Sequence, residues 1–264
     1  MAREVHSLLA AGFPMGAHSL SRTLHEIAVR AMVLSEFGVT PDHTDLAERY
    51  VLHDHVINYK DALIYQRDCE ALGYDPFTDD EMESMKQRCD EVVERYGKPF
   101  KGSYGWAAGL PGLRDSNQPS FADLEQLANI DHFRGLYQWS SHFVHADSKA
   151  LRMSRVERGG SSAVLTNATN NHLADPGQHA LIALHRVFVA MVTAADLFSF
   201  YDNLLCSSLR ILLDKACNLF GDGEKAVDAA EERFQAELAE RGMRFDLILG
   251  EVPIEPPAIG PDAD

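Results

Sequence analysis

No uninterrupted apolar run long enough to cross a bilayer occurs in the 264 residues. A spanning helix needs roughly 20 consecutive apolar residues, and the longest apolar stretch toward the C-terminus, 180–200, is broken by His185, Arg186 and Asp196. At the other end, Met1-Ala-Arg-Glu-Val-His mixes charges ahead of a short apolar stretch, which fits neither a signal peptide nor an anchor. The sequence therefore predicts no export and no membrane insertion, with residence in the cytoplasm.

Cysteine is scarce as well. Cys69, Cys89, Cys206 and Cys217 form no C-x-x-C pair and share no regular spacing, which excludes a zinc knuckle or a disulfide framework and leaves reduced thiols. Positive charge is also in deficit: 24 Lys+Arg against 40 Asp+Glu give a formal charge of −16. Such a surface repels phosphate backbones at long range, so nucleic acid is disfavoured as a generic partner, while a local basic pocket for a small anion stays open. Glycine-rich phosphate loops, H-E-x-x-H, G-x-S-x-G and internal repeats are all missing. No metal site or cofactor is specified by any motif.

What is present is an ordinary globular composition, 45% hydrophobic and 24% charged. That length can bury a substantial core. We read residues 1–250 as a single helical domain and 251–264, with Pro253, Pro256, Pro257 and Pro261, as a flexible tail. The fold class expected is all-α: a bundle of long antiparallel helices with an ordered Gly/Pro-rich loop.

The helical grammar repeats along the chain. Residues 3–11 read as a short helix broken by Gly12, Pro14 and Gly16. Leu20, Leu24, Ile27, Ala28, Ala31 and Leu34 then recur at steps of mostly three and four, predicting a helix over 17–37 that stops at Gly38. Thr40-Pro41-Asp42 supplies a cap, a proline at the first position and an early acid, opening a helix expected to run unbroken to Leu72 before Gly73. Thr78-Asp79-Asp80-Glu81 opens another, to Tyr96. Residues 97–120 form a Gly/Pro/Ser/Asn-rich loop around Trp106. Ser120 caps a helix to about His145, with an interruption near 129–131, and 157–177 reads as irregular. Residues 178–219 read as a long apolar helix or bent pair, turned by Gly221-Asp222-Gly223 into a charged helix ending near Gly242.

Three constellations carry chemistry. Tyr137, Ser141 and His145 lie at i, i+4 and i+8, along one helix face. A hydroxyl one turn from an imidazole can fix its tautomer or be activated by it. Arg22, Glu26 and Arg30 repeat the spacing in charged form, either as a solvated network or as a half-buried one aimed into a pocket. Tyr50 and His53 share a third face, and His53 and His55 do not. Each group also has a plain structural reading: hydrogen bonding or exposure for the hydroxyls and imidazole, a surface ion pair for the ladder, a hydrophobic plug for Trp106.

These residues together, Leu20-Ser-Arg22-Thr-Leu-His-Glu26, Ala47-Glu-Arg-Tyr50, Trp106 and Tyr137-x-x-x-Ser141-x-x-x-His145, resemble a bacterial helical family of unknown function, DUF5677, over residues 5–215. The resemblance implies a mostly helical fold and the Arg, Glu, Tyr, Ser and His types at these positions, and supplies no reaction. It also implies a helix ahead of the Arg22 helix, so a partner chain, as in a homo-oligomer, is expected to complete the bundle. A looser similarity runs to HEPN-type helical ribonucleases, which use an Arg and a His in an R-x(4–6)-H arrangement. Here seven residues separate Arg134 from His142 and ten separate it from His145.

The reading taken forward is a pocket in which Arg22, Tyr50, Trp106 and Tyr137 bind a small anionic or nucleotide-like ligand, with His145, Ser141 and Glu26 as candidate catalytic groups. The alternatives are a non-catalytic interaction or defence-associated subunit, and a His-dependent ribonuclease.

Overall fold

The computed structural model describes residues 1–115, 117–158, 161–164, 167–194, 199–246 and 250–253. The fold is all-α, with ten α-helices and two small hairpins among those residues. The chain groups into two compact units: one comprises Met1–His25, Gly135–His185 and Asn203–Asp264, the other Glu26–Arg134 and Arg186–Asp202. The proline-rich tail from 254 onward lies outside the described residues.

In the first unit, α1 (Ala2–Ala10) ends before Gly12, which takes a positive φ of 80°. Pro14 then opens α2 (Pro14–Phe37), where its missing N–H costs nothing. The Gly12 carbonyl accepts the Thr169 amide at 2.9 Å, and a side chain on Gly12 would lie 2.9 Å from the Thr169 carbonyl oxygen. That position therefore needs glycine on two counts. The unit continues with α7 (Arg134–His145), α8 (Ser148–Met153), the first part of α9 (Ala174–Thr193) and most of α10 (Phe200–Glu240). Its buried apolar residues are largely alanines, Ala17, Ala150, Ala174, Ala180 and Ala183, interleaved with buried His18, His25 and His179. Small residues let helices approach closely. Imidazoles then fill space that large aliphatic side chains occupy elsewhere.

The second unit has a conventional aliphatic and aromatic interior built from Val29, Val33, Leu46, Phe100, Leu124 and Ile130. The predicted helix over 41–72 is divided here into a one-turn helix at Pro41–His43, α3 (Leu46–Leu52) and α4 (Asp54–Leu72). The break falls at His53, whose Nε2–H donates to the Gly102 carbonyl at 2.8 Å. A buried imidazole needing an acceptor outside its own helix gives the joint its partner. Gly73 ends α4 in the left-handed conformation. Thr78 and Glu81 form a reciprocal cap on α5 (Asp79–Tyr96), and Ser120 and Asp123 do the same for α6 (Phe121–Leu127). The expected interruption after it occurs at Asn129, with φ of 52°.

Two further expectations are corrected. Residues 157–177 are not wholly irregular, because β1 (Arg155–Arg158) pairs antiparallel with β2 (Ser161–Val164). A Gly-Gly pair between two short runs was the available hairpin signal. Gly221-Asp222-Gly223 makes no turn: α10 runs through both glycines to Glu240. Two interior glycines cost about 1 kcal/mol each against alanine, and the alanine- and glutamate-rich residues that follow favour continuation. The helix ends at Gly242, φ 66°, before the hairpin of β3 (Met243–Asp246) and β4 (Gly250–Pro253).

Candidate functional site: a polar seam and a histidine-lined cavity

Positions 18, 22 and 25 of α2 sit at i, i+4 and i+7, one stripe of a helix. Each meets α7 in reverse order. His18 Nδ1 lies 3.2 Å from Ser140 Oγ and its ring stacks on Phe143 at 4.8 Å. Arg22 donates from Nε to Ser141 Oγ at 2.9 Å and from Nη2 to Tyr137 Oη at 2.8 Å, with its guanidinium 4.8 Å above the Tyr137 ring. His25 packs against Tyr137 at 5.6 Å. The two segments are therefore antiparallel, and their hydrophilic edges form one seam.

Two imidazoles in this seam are electrostatically constrained. Burial pulls His18 down to about 4, and its electrostatic interaction with His172 lowers it further. Burial also pulls His179, on α9, down to about 3, with His25 and His18 adding repulsion. The His179 ring lies 5.2 Å from that of His25, and neither of its nitrogens has a hydrogen-bond partner among the described residues. At neutral pH both rings are uncharged.

Beside His18 opens a cavity of about 310 Å³. Trp139 and Phe143, one turn apart on α7, give it an aromatic wall, Met15 and Met153 add sulfur, and His172 and Asp175 bring polar groups to it. His172 holds a positive φ of 62°, an uncommon conformation for a residue with a side chain. Its loop is tied to Gly12 through Thr169.

Of the residues singled out from the sequence, Arg22, Tyr137 and Ser141 come together in the seam. His145 stands exposed at the end of α7. Glu26 belongs to the second unit, where its Oε2 accepts from Arg30 at 3.3 Å. Tyr50 and Trp106 also meet there, edge to face at 5.1 Å, with Trp106 only 2% exposed beneath the tyrosine. Arg134 and His142, of interest through the ribonuclease similarity, each hold an acid: Arg134 bonds Glu125, and His142 Nδ1 lies 2.6 Å from Asp147. Sequence reasoning missed His18, His25, Trp139, Phe143, His172, Asp175 and His179. The signal available was the i, i+7 spacing of His18 and His25 on a stripe with Ser21.

Fold and site thus define an all-α protein with an arginine-anchored helix seam and an adjoining cavity. The chain belongs to the family of unknown function DUF5677, which matches residues 1–161. That span holds the seam, while His172, Asp175 and His179 lie beyond it. Comparison with curated proteins and with solved structures gives no match. Among the described residues no helix is long and apolar enough to cross a membrane, and no three His, Cys, Asp or Glu side chains are placed to hold a metal ion.

Proposed function

We propose that the first unit binds a small, planar, anionic ligand of nucleotide type, its ring in the cavity beside His18 and its anionic group directed along α2 toward Arg22. The observation that carries this reading is the cavity itself, whose volume lies at the lower end of the range for small-molecule sites. An aromatic wall suits a flat heterocycle. Asp175 accepts from ring or exocyclic N–H groups, and the neutral imidazole of His18 can donate or accept. Arg22 lies one helical turn from His18 on the same stripe of α2, held against Ser141 and Tyr137, and a guanidinium is well suited to bind an anionic group.

Calorimetric titration with AMP, adenosine and inorganic phosphate tests this reading. Trp139→Ala, at a half-exposed position, is expected to weaken AMP and adenosine alike. Arg22→Gln is expected to weaken AMP by about tenfold or more, the loss of one charge-assisted bond, and to spare adenosine. His145→Ala is expected to leave binding unchanged. AMP affinity indifferent to both Trp139 and Arg22, or no heat with any of the three probes, overturns the proposal.

A further inference from the structure

α10 is apolar on two faces over its first half. One face, Cys206, Leu209, Leu213, Cys217 and Phe220, is turned toward the first unit and is half-buried. Gln178 Nε2 bonds the Cys217 carbonyl at 2.8 Å, and the Phe220 ring lies against Gly177. The other face carries Leu204 (55% exposed), Leu205 (47%), Ile211 (58%), Leu212 (59%) and Leu219 (72%). A helix hydrophobic all round belongs in an interior. Here half of that circumference meets solvent.

The exposed face has an arrangement that fits itself. Leu204-Leu205 and Ile211-Leu212 are two adjacent pairs seven residues apart, so they repeat on one side of the helix, with the small Ser208 midway between them. A two-fold axis through Ser208 sets Leu204 against Leu212 and Leu205 against Ile211 of an antiparallel copy. The small central residue lets the two helices approach closely. Charge points the same way. From 203 to 213 the chain has Arg210 and no carboxylate, in a protein of charge −16. Two copies repel each other least where they meet on this stripe. The four side chains paired across that axis remove on the order of 400 Å² per copy, about 800 Å² for a pair, the size of a weak, concentration-dependent contact.

We propose that the protein forms an isologous homodimer through the Leu204–Leu212 stripe of α10, with the symmetry axis at Ser208. This surface is independent of the cavity, so failure of the ligand proposal leaves it standing.

Sedimentation velocity of the full chain over the micromolar range tests it. The wild type is expected to sediment as a concentration-dependent dimer. Leu212→Glu, at an exposed position, is expected to raise the dimer dissociation constant by about tenfold or more while the helical circular dichroism stays unchanged. Ser208→Cys places its thiol on the axis, so mild oxidation is expected to give a covalent dimer above the wild-type background from the native cysteines. A wild type that stays monomeric throughout overturns the proposal. So does a dimer insensitive to Leu212→Glu, or one in which Ser208→Cys cross-links no better than wild type.

Discussion

His18 and His179 take up interior volume as neutral rings, and this ties folding to proton concentration. Both titrate in the folded protein below the ordinary value of 6.5, near 4 and near 3. The unfolded chain therefore binds these protons first as the pH falls. The stability tied to the neutral rings is fully present above about pH 6.5 and drains away below it, at a slope approaching 1.4 kcal/mol per pH unit for each histidine. The loss levels off only as the folded-state values are reached. Urea midpoints measured between pH 7 and pH 4 are expected to fall along this slope. His179→Gln removes one titrating ring, so its profile is expected to be shallower even though its stability at pH 7 is lower. A parallel profile for wild type and variant would show that His179 titrates normally in the folded chain.

At the scale of elements, α10 offers a direct choice between two readings of one sequence. The Gly-Asp-Gly at 221–223 carries turn chemistry, yet the helix continues through it. A Cβ on Gly223 meets nothing within 4 Å. Gly223→Ala is thus expected to stabilise the protein by up to about 1 kcal/mol, the intrinsic helix preference of alanine over glycine. A turn at that position would instead make the change destabilising, and thermal or urea unfolding separates the two. Gly12→Ala is expected to act in the opposite sense, losing about 1–3 kcal/mol, because its positive φ and its contact with Thr169 both resist a side chain.

These elements also show what was legible in the string. Helix starts were readable where the cap is local: Thr78 with Glu81 and Ser120 with Asp123 carry their own instructions within four residues, whereas Pro14, expected to be a breaker ahead of a helix from 17, in fact opens α2. The break at His53 was not readable, since its cause is a carbonyl 49 residues away. Likewise the i, i+4 pattern of Tyr137 and Ser141 was visible, and so was that of Arg22. Their meeting across more than 110 residues is a tertiary fact. The buried histidines escaped notice because nothing in the local sequence separates an imidazole facing an alanine-lined interior from one facing water.

At the scale of the whole molecule, charge and apolar surface oppose each other. Each copy carries a formal −16, so bringing two together costs long-range repulsion that salt can screen. The contact proposed for α10 is apolar and gains nothing from direct ion pairing, because the neighbouring Arg210 is already engaged with Asp214 at 3.0 Å. Raising the salt from about 0.01 M to about 0.1 M shortens the screening length from about 30 Å to about 10 Å, which removes most of that repulsion and leaves the apolar gain intact. Dimerisation is therefore expected to tighten as salt rises, measured as a falling dissociation constant in sedimentation experiments. An association held by salt bridges would weaken over the same range, so the sign of the slope separates an apolar contact from an ion-paired one.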